Sequence, residues 1–220
     1  MNNITDFSIK TLLGGYDKNF GYIVTCNRTG AQVVIDAAID FEQVSKFIFK
    51  EPIAILITHS HKDHIRFLDQ YAENYKNSFI IGHSISSEKF LNTNYKIANH
   101  NEIIKIGELQ FTSFHTPGHY IDSICYQLKP VLFTGDTLFV GRTGRVINSG
   151  SNLEDLFDSI YNKILKLPGN TRIYPGHDYG ETKSITLSNN IKISELLKAK
   201  DFEDFSKKME YYEKNRIPNF

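Results

Sequence analysis

Thr58-His59-Ser60-His61-Lys62-Asp63-His64 follows directly on the apolar run Ile53 to Ile57. Three histidines and an aspartate lie within six residues, a density that ordinary folding does not need and that a zinc or iron site does. The run before them is short, apolar and preceded by Pro52, the pattern of a buried strand. Ahead of it, Phe41, Val44, Phe47 and Ile48 recur at helical spacing within Phe41 to Lys50. Behind it, Ile65, Leu68 and Tyr71/Ala72 share one face of an expected helix over Asp63 to Tyr75. Helix, buried strand, polar loop and helix form the β-α-β rhythm of a layered α/β protein. The cluster then lies at the carboxyl end of a strand, where such sheets collect ligands.

The pattern continues on both sides. Phe7 to Leu13, Gly21 to Cys26 and Gln32 to Asp36 read as strands, with turns at Gly14-Gly15-Tyr16-Asp17 and Asn27-Arg28-Thr29-Gly30. Phe79 to Ile81, Ile103 to Ile106, Gln110 to Phe114, Ser123 to Leu128, Val131 to Thr134 and Arg172 to Tyr174 read the same way. Asn152 to Leu167 is expected to be a helix capped by Asn152 and ended by Pro168-Gly169. From Lys183 the chain turns polar and helical in pattern. We expect one domain over 1–220, with about 183–220 a helical tail packed on it through Phe202, Phe205, Met209 and Tyr212.

Bulk composition narrows the function. Hydrophobic residues make up 40% of the 220, enough for a sizeable core. Acidic and basic residues balance at 25 each, which gives no basic field for nucleic acid and no polybasic membrane patch. No apolar run is long enough to span a bilayer, and the first residues do not read as a signal peptide. Cys26 and Cys125 do not make a disulfide scaffold and read as small core residues. A cytoplasmic location is expected.

Three later segments each add one candidate ligand: Thr116-Pro117-Gly118-His119, Phe133-Thr134-Gly135-Asp136-Thr137 and Tyr174-Pro175-Gly176-His177. On an extended loop, side chains two apart point the same way, so His59 and His61 can reach one ion. Asp63 and His64 fall where the loop turns into the helix and can serve a second. Pro-Gly turns aim His119 and His177, and a carboxylate such as Asp136 can bridge two ions. The reading is a binuclear site: His59, His61 and His119 on one ion, Asp63, His64 and His177 on the other, Asp136 between them. Two ions about 3.5 Å apart turn a water into hydroxide near neutral pH and stabilise developing oxygen charge. Zinc is the first expectation, and iron and manganese accept the same donors.

The T-H-x-H-x-D-H motif, the T-P-G-H turn, F-T-G-D-T and P-G-H-D, in that order over about Phe7 to Tyr179, resemble the metallo-β-lactamase fold superfamily. The resemblance implies a four-layer αββα sandwich with the metals at one edge between two sheets. Within the superfamily the chain is most similar to glyoxalase II-like thioesterases, through Phe133 to Val140 and Ser123-Ile124-Cys125-Tyr126. True β-lactamases usually carry cysteine where Asp136 stands, and flavodiiron proteins carry glutamate where His61 stands. The implied activity is hydrolysis of a small-molecule thioester, with a glutathione conjugate as the candidate substrate. Asp63 and Asp136 are its candidate catalytic carboxylates, and Arg145 is its candidate grip on the thiol portion.

The chain departs from glyoxalase II at three places. Ile65-Arg66 stand where small residues follow the motif histidine, and Arg145 and Ile147 stand at its lysine and tyrosine positions. The stretch after His177 is shorter than the helical extension of glyoxalase II. That stretch resembles the persulfide dioxygenases instead, as does Ile173 to Tyr179; they hold one iron with the equivalents of His59, His119 and Asp136. A dioxygenase is therefore the first alternative, and a non-catalytic metal-binding scaffold or sensor the second. His115 is a candidate for orienting a ligand from behind. His83 and His100 read as surface or turn residues, and Gly141-Arg142-Thr143-Gly144-Arg145 as a possible cradle for an anion.

Overall fold

Side chains alternate across a strand, so a strand apolar at every position must be covered on both faces. That condition sets the architecture. A computed structural model describes residues 6–91 and 93–216. The first sheet runs in the order β1 (Phe7–Gly14), β2 (Asn19–Cys26), β3 (Gln32–Ile35), β4 (Ala54–Leu56), β5 (Phe79–Gly82) and β6 (Tyr95–Ile97). The second runs β12 (Ile185–Thr186), β11 (Arg172–Pro175), β10 (Val131–Gly135), β9 (Ile124–Leu128), β8 (Leu109–His115) and β7 (Ile103–Ile106). Both sheets mix parallel and antiparallel pairs: β3 to β6 are parallel, as are β10 and β11.

The alternation assigns each face. Tyr22, Val24 and Cys26 of β2, Ala54 and Leu56 of β4, Ile124 and Tyr126 of β9 and Phe133 of β10 fill the core between the sheets. The intervening Ile23, Val34, Ile55 and Ile57 face outward onto α1 (Phe41–Ser45) and α2 (Leu68–Asn74) through Val44, Leu68 and Tyr71. On the far side, Cys125, Leu132 and Ile173 face α3 (Leu153–Asp158) and α5 (Phe202–Lys214) through Leu156, Phe205 and Met209; α4 (Leu187–Ile193) joins them through Leu187. The layers are therefore helix, sheet, sheet and helix, the expected sandwich with a helical C-terminal segment. Both cysteines are buried and free. Among the described residues no helix is long and apolar enough to cross a membrane.

Two expected helices are shorter than their periodicity predicts. Phe41 to Lys50 is helical only to Ser45. The helix expected from Asp63 begins at Leu68, because the backbone before it is bonded elsewhere. The His64 carbonyl accepts from Ala37 N at 2.9 Å, and Phe67 N donates to the Ala37 carbonyl at 3.0 Å. These two bonds clamp the ligand loop onto the end of β3. The expected helix from Asn152 is continuous but changes pitch, passing from α to π over Ser159–Lys163 and to a 3-10 turn over Ile164–Lys166. Asn152 caps it, accepting from Asp155 N at 3.0 Å.

The sheets meet at the site edge. Phe20 N donates to the Gly176 carbonyl, Asp178 N to Lys18 and Gly176 N to Gly135, at 2.8, 2.9 and 2.8 Å. Ile124 N donates to the Thr58 carbonyl at 2.7 Å, so β9 is tied to the end of β4. These bonds fix the carboxyl ends of β4, β10 and β11 beside one another.

Candidate metal centre

Seven side chains singled out in the sequence converge at this edge. His59, His61, Asp63 and His64 come from the loop after β4, His119 from the turn between β8 and β9, Asp136 from the end of β10 and His177 from the end of β11. Donor atoms of His59, His61 and His119 lie within 4.8 Å of one another, as do those of His59, His64 and Asp136, and of Asp63, His64 and His177. His61 Nδ1 is 2.9 Å from His59 Nε2 and 3.1 Å from His119 Nε2. His64 Nε2 is 3.2 Å from His177 Nε2. Asp136 reaches both groups, with Oδ1 3.2 Å from His64 Nε2 and Oδ2 3.2 Å from His177 Nε2 and 3.5 Å from His119 Nε2.

Close packing requires glycine in two of the turns. A Cβ on Gly118 would fall 2.3 Å from the Leu156 backbone, so α3 can lie against the turn that carries His119 only because Gly118 has none. A Cβ on Gly176 would fall 2.3 Å from Asp136 Oδ1.

Ring orientation is set from behind. His119 Nδ1 donates to the Arg145 carbonyl at 2.9 Å, and His177 Nδ1 to the Asp17 carbonyl at 2.7 Å. A carbonyl only accepts, so both rings carry a proton on Nδ1 and direct Nε2, the atom that would ligate, to the cluster. His64 Nδ1 donates to Asp36 Oδ2 at 2.8 Å, with the same result. Asp36 also accepts from Thr58 N and Oγ1, both at 2.8 Å, and it sits in the left-handed region at φ 60°. A non-glycine residue there is a strained conformation held by its surroundings. Asn19 Nδ2 donates to Asp63 Oδ2 at 2.9 Å.

Sequence reading passed over Asp36 and Asn19. A signal existed for Asp36: an aspartate closing the apolar strand Gln32-Val33-Val34-Ile35, as Asp136 closes Val131 to Gly135. His115, a candidate for orienting a ligand, stacks on His83 at 4.1 Å and bonds the Ile121 carbonyl, so it turns away from the cluster. Ser60 N, between the two ligand histidines, is held by Asp122 Oδ1 at 3.2 Å.

Charge is strongly perturbed. Burial, reinforced by His64, keeps the His59 pKa well below its usual value, and burial with His119 lowers that of His61 to about 4. Burial opposes a proton on His64 and His177 too, but Asp136 outweighs it, raising His64 well above its ordinary value and His177 to about 10. Burial likewise opposes charge on Asp63 and Asp136, yet the histidines hold both carboxyls below the usual range: His177 ahead of His64 for each. The half around Asp63 and Asp136 thus attracts positive charge.

The donor set fits a divalent metal. Tetrahedral nitrogen ligands at about 2.0–2.1 Å from zinc stand roughly 3.3 Å apart, close to the separations here. Asp136 Oδ1 is buried with no hydrogen-bond partner, only His64 Nε2 facing it at 3.2 Å, and a cation there would satisfy its charge.

A cavity of about 790 Å³ opens over the centre, lined by His61, Asp63, His119, Asp136 and His177 and rimmed by Arg66, Arg142 and Arg145. Two amides of the candidate anion cradle beside it are already taken. Gly141 N donates to Asn190 Oδ1 at 2.7 Å and Gly144 N to the Thr137 carbonyl at 3.3 Å. Arg145 faces the cavity, but its guanidinium is bound to Glu213, a residue that sequence reading did not single out.

Comparison with known proteins agrees with this geometry. The family model of the metallo-beta-lactamase superfamily matches residues 17–177. A probable hydroxyacylglutathione hydrolase of Schizosaccharomyces pombe is 32% identical over 200 residues, 86% of this chain and 75% of that protein. A probable polyketide biosynthesis zinc-dependent hydrolase of Bacillus velezensis is 28% identical over 178 residues, 79% of each chain. The crystal structure of ETHE1 from Myxococcus xanthus superposes with a TM-score of 0.80 at 26% identity, over 96% of this chain and 92% of that one. Motif order, sandwich architecture and convergent donors lead to one assignment: the chain belongs to the metallo-beta-lactamase superfamily, in its glyoxalase II-like branch.

Proposed function

We propose that the protein is a metal-dependent thioesterase, with His59, His61 and His119 holding one divalent ion, Asp63, His64 and His177 a second, and Asp136 shared between them. The observation that carries this reading is Asp136. Its two oxygens face His64 on one side and His119 and His177 on the other, beneath a cavity large enough for a small thioester. Two divalent ions held this way supply water activation near neutral pH and polarisation of a carbonyl oxygen.

The protein's own groups do the rest. Asp63 lines the cavity with its Oδ2 held by Asn19, so its carboxylate is placed to orient an entering water by hydrogen bonding. Asp36, Asp17 and Arg145 fix the rings of His64, His177 and His119 and keep their lone pairs aimed. Arg66 and Arg142 stand on the cavity wall, where they favour the negative charge of a departing thiolate. The buried floor keeps bulk water from competing with these groups. The zinc-dependent hydrolase and hydroxyacylglutathione hydrolase relatives support zinc and a thioester, and two free buried cysteines suit a reducing cytoplasm.

The test is hydrolysis of a thioester panel headed by S-lactoylglutathione, with metal content measured on the same protein. Asp136→Ala should abolish turnover while circular dichroism stays native; undiminished turnover would sink the assignment. A single-iron persulfide dioxygenase is the second reading, favoured by the ETHE1 likeness reaching 96% of the chain. Close to one iron per chain, with oxygen uptake on glutathione persulfide, would select it over the hydrolase.

A further inference from the structure

The cavity wall carries a charge pair that the metal chemistry does not use. Arg145 Nε lies 3.2 and 3.0 Å from Oε1 and Oε2 of Glu213, and its Nη2 lies 2.8 Å from Oε2. Glu213 comes from the last turn of α5, 68 residues further on. The two side chains are 41% and 24% exposed, so the pair is half-buried. Arg145 lines the cavity and Glu213 does not. The Nε–Nη2 edge is a fork that suits a carboxylate in two-point contact, and here it is filled from within the protein.

An incoming ligand carboxylate therefore meets a neutralised arginine. To reach the fork it must displace Glu213, so one carboxylate contact is only exchanged for another and the net gain is small. To bind beside the pair it must approach a like charge. Three further arginines line the wall: Arg142 donates to the Tyr179 carbonyl at 2.7 Å, Arg66 lies beside the Tyr16 ring, and Arg216 stands one turn of chain beyond Glu213.

We infer that Glu213 is a specificity-determining residue, a resident carboxylate on Arg145 that disfavours substrates presenting their own carboxylate at that point of the cavity. The site is then directed to thioesters whose thiol portion is uncharged there. This deepens the thioesterase reading and rests on it. A mere tether for α5 would act alike on charged and uncharged ligands, so the ratio between the two isolates the charge effect.

The experiment is calorimetric binding of S-hexylglutathione and of its dimethyl ester to the full-length, metal-loaded protein, for wild type, Glu213→Gln and the double variant Glu213→Gln/Arg145→Gln. Glutamine keeps the size of Glu213 and one acceptor oxygen for Arg145, and removes the charge. The preference for the dicarboxylate over the diester should rise about tenfold in Glu213→Gln, the scale of a charge-assisted hydrogen bond discounted for exposure. The gain should vanish in the double variant. An unchanged ratio, or no binding of either ligand to Glu213→Gln, overturns the inference. The readout needs no turnover, so a protein that binds with the expected ratio but hydrolyses no thioester fails the thioesterase reading alone.

Discussion

His64 Nδ1 donates to Asp36 Oδ2 at 2.8 Å, and neither side chain is more than 3% exposed. The bond fixes which nitrogen of His64 is free, and Asp36 is itself held by Thr58 N and Oγ1. Partners behind a metal ligand are typically worth about 10–100-fold in metal affinity. Asp36→Ala should therefore weaken metal binding at the Asp63–His64–His177 set by about that factor, read by competition with a chromophoric chelator. Affinity equal to wild type would show that the packing around His64 orients the ring without Asp36.

Metal uptake should release protons. In chelator-treated protein burial disfavours charge on His177 and His64, but Asp136 outweighs it and both carry protons at neutral pH. Ligation requires the neutral rings, so affinity should fall as pH drops. Calorimetry in buffers of different ionisation enthalpy measures the release, and identical heats in all buffers would contradict it.

The same groups set the pH dependence of the stripped fold. A pKa raised on folding contributes stability that is complete below the unfolded value of about 6.5 and lost as pH rises through the folded one. His177, at about 10, therefore predicts a melting temperature that declines from pH 7 towards pH 10 in stripped protein. His61, lowered to about 4 by burial and His119, has the opposite sign and removes stability as pH falls from 6.5 to 4. A stripped protein whose melting temperature rises between pH 7 and 10 would refute the His177 assignment.

Gly118→Ala should cost roughly 2–4 kcal/mol, because a Cβ at φ +133° would overlap the Leu156 backbone 2.3 Å away. Gly30→Ala is the control. It shares a positive φ but has nothing within 4 Å, so it should cost only about 1 kcal/mol. Similar losses for the two would mean that backbone conformation, rather than contact with α3, makes glycine necessary at 118.

Asp122→Ala removes the acceptor that holds Ser60 N at 3.2 Å between His59 and His61. It should lower affinity at the His59–His61–His119 set by roughly tenfold, as loss of a partner behind a ligand does. Thermal shift with and without added zinc would read this as a smaller metal-induced gain than in wild type.

The convergence of seven side chains was legible because each travels in a short local motif that combines a turn or strand end with a histidine or aspartate. The layers were legible for a similar reason: alternation along Tyr22 to Cys26 and Ala54 to Ile57 leaves no polar face. The pairings behind the donors were not legible. Asp36 reaches His64 across 28 residues, Asn19 reaches Asp63 across 44 and Glu213 reaches Arg145 across 68, and none of these residues lies in a motif that names its partner. The late start of α2 escaped notice because His64 and Phe67 bond to Ala37, a tertiary contact that overrides helical spacing.

The stitch between the sheets has a consequence for how the protein matures. His59, His61, Asp63 and His64 follow a strand of one sheet, while His119, Asp136 and His177 belong to the other, and Phe20–Gly176 and Ile124–Thr58 join the two. Neither half of the chain owns a complete coordination set. An ion captured here works as a rivet driven through both leaves, and it can be driven only after they have closed. Metal occupancy would then serve as a certificate of completed folding: a molecule whose second half has not docked would lack a complete donor set.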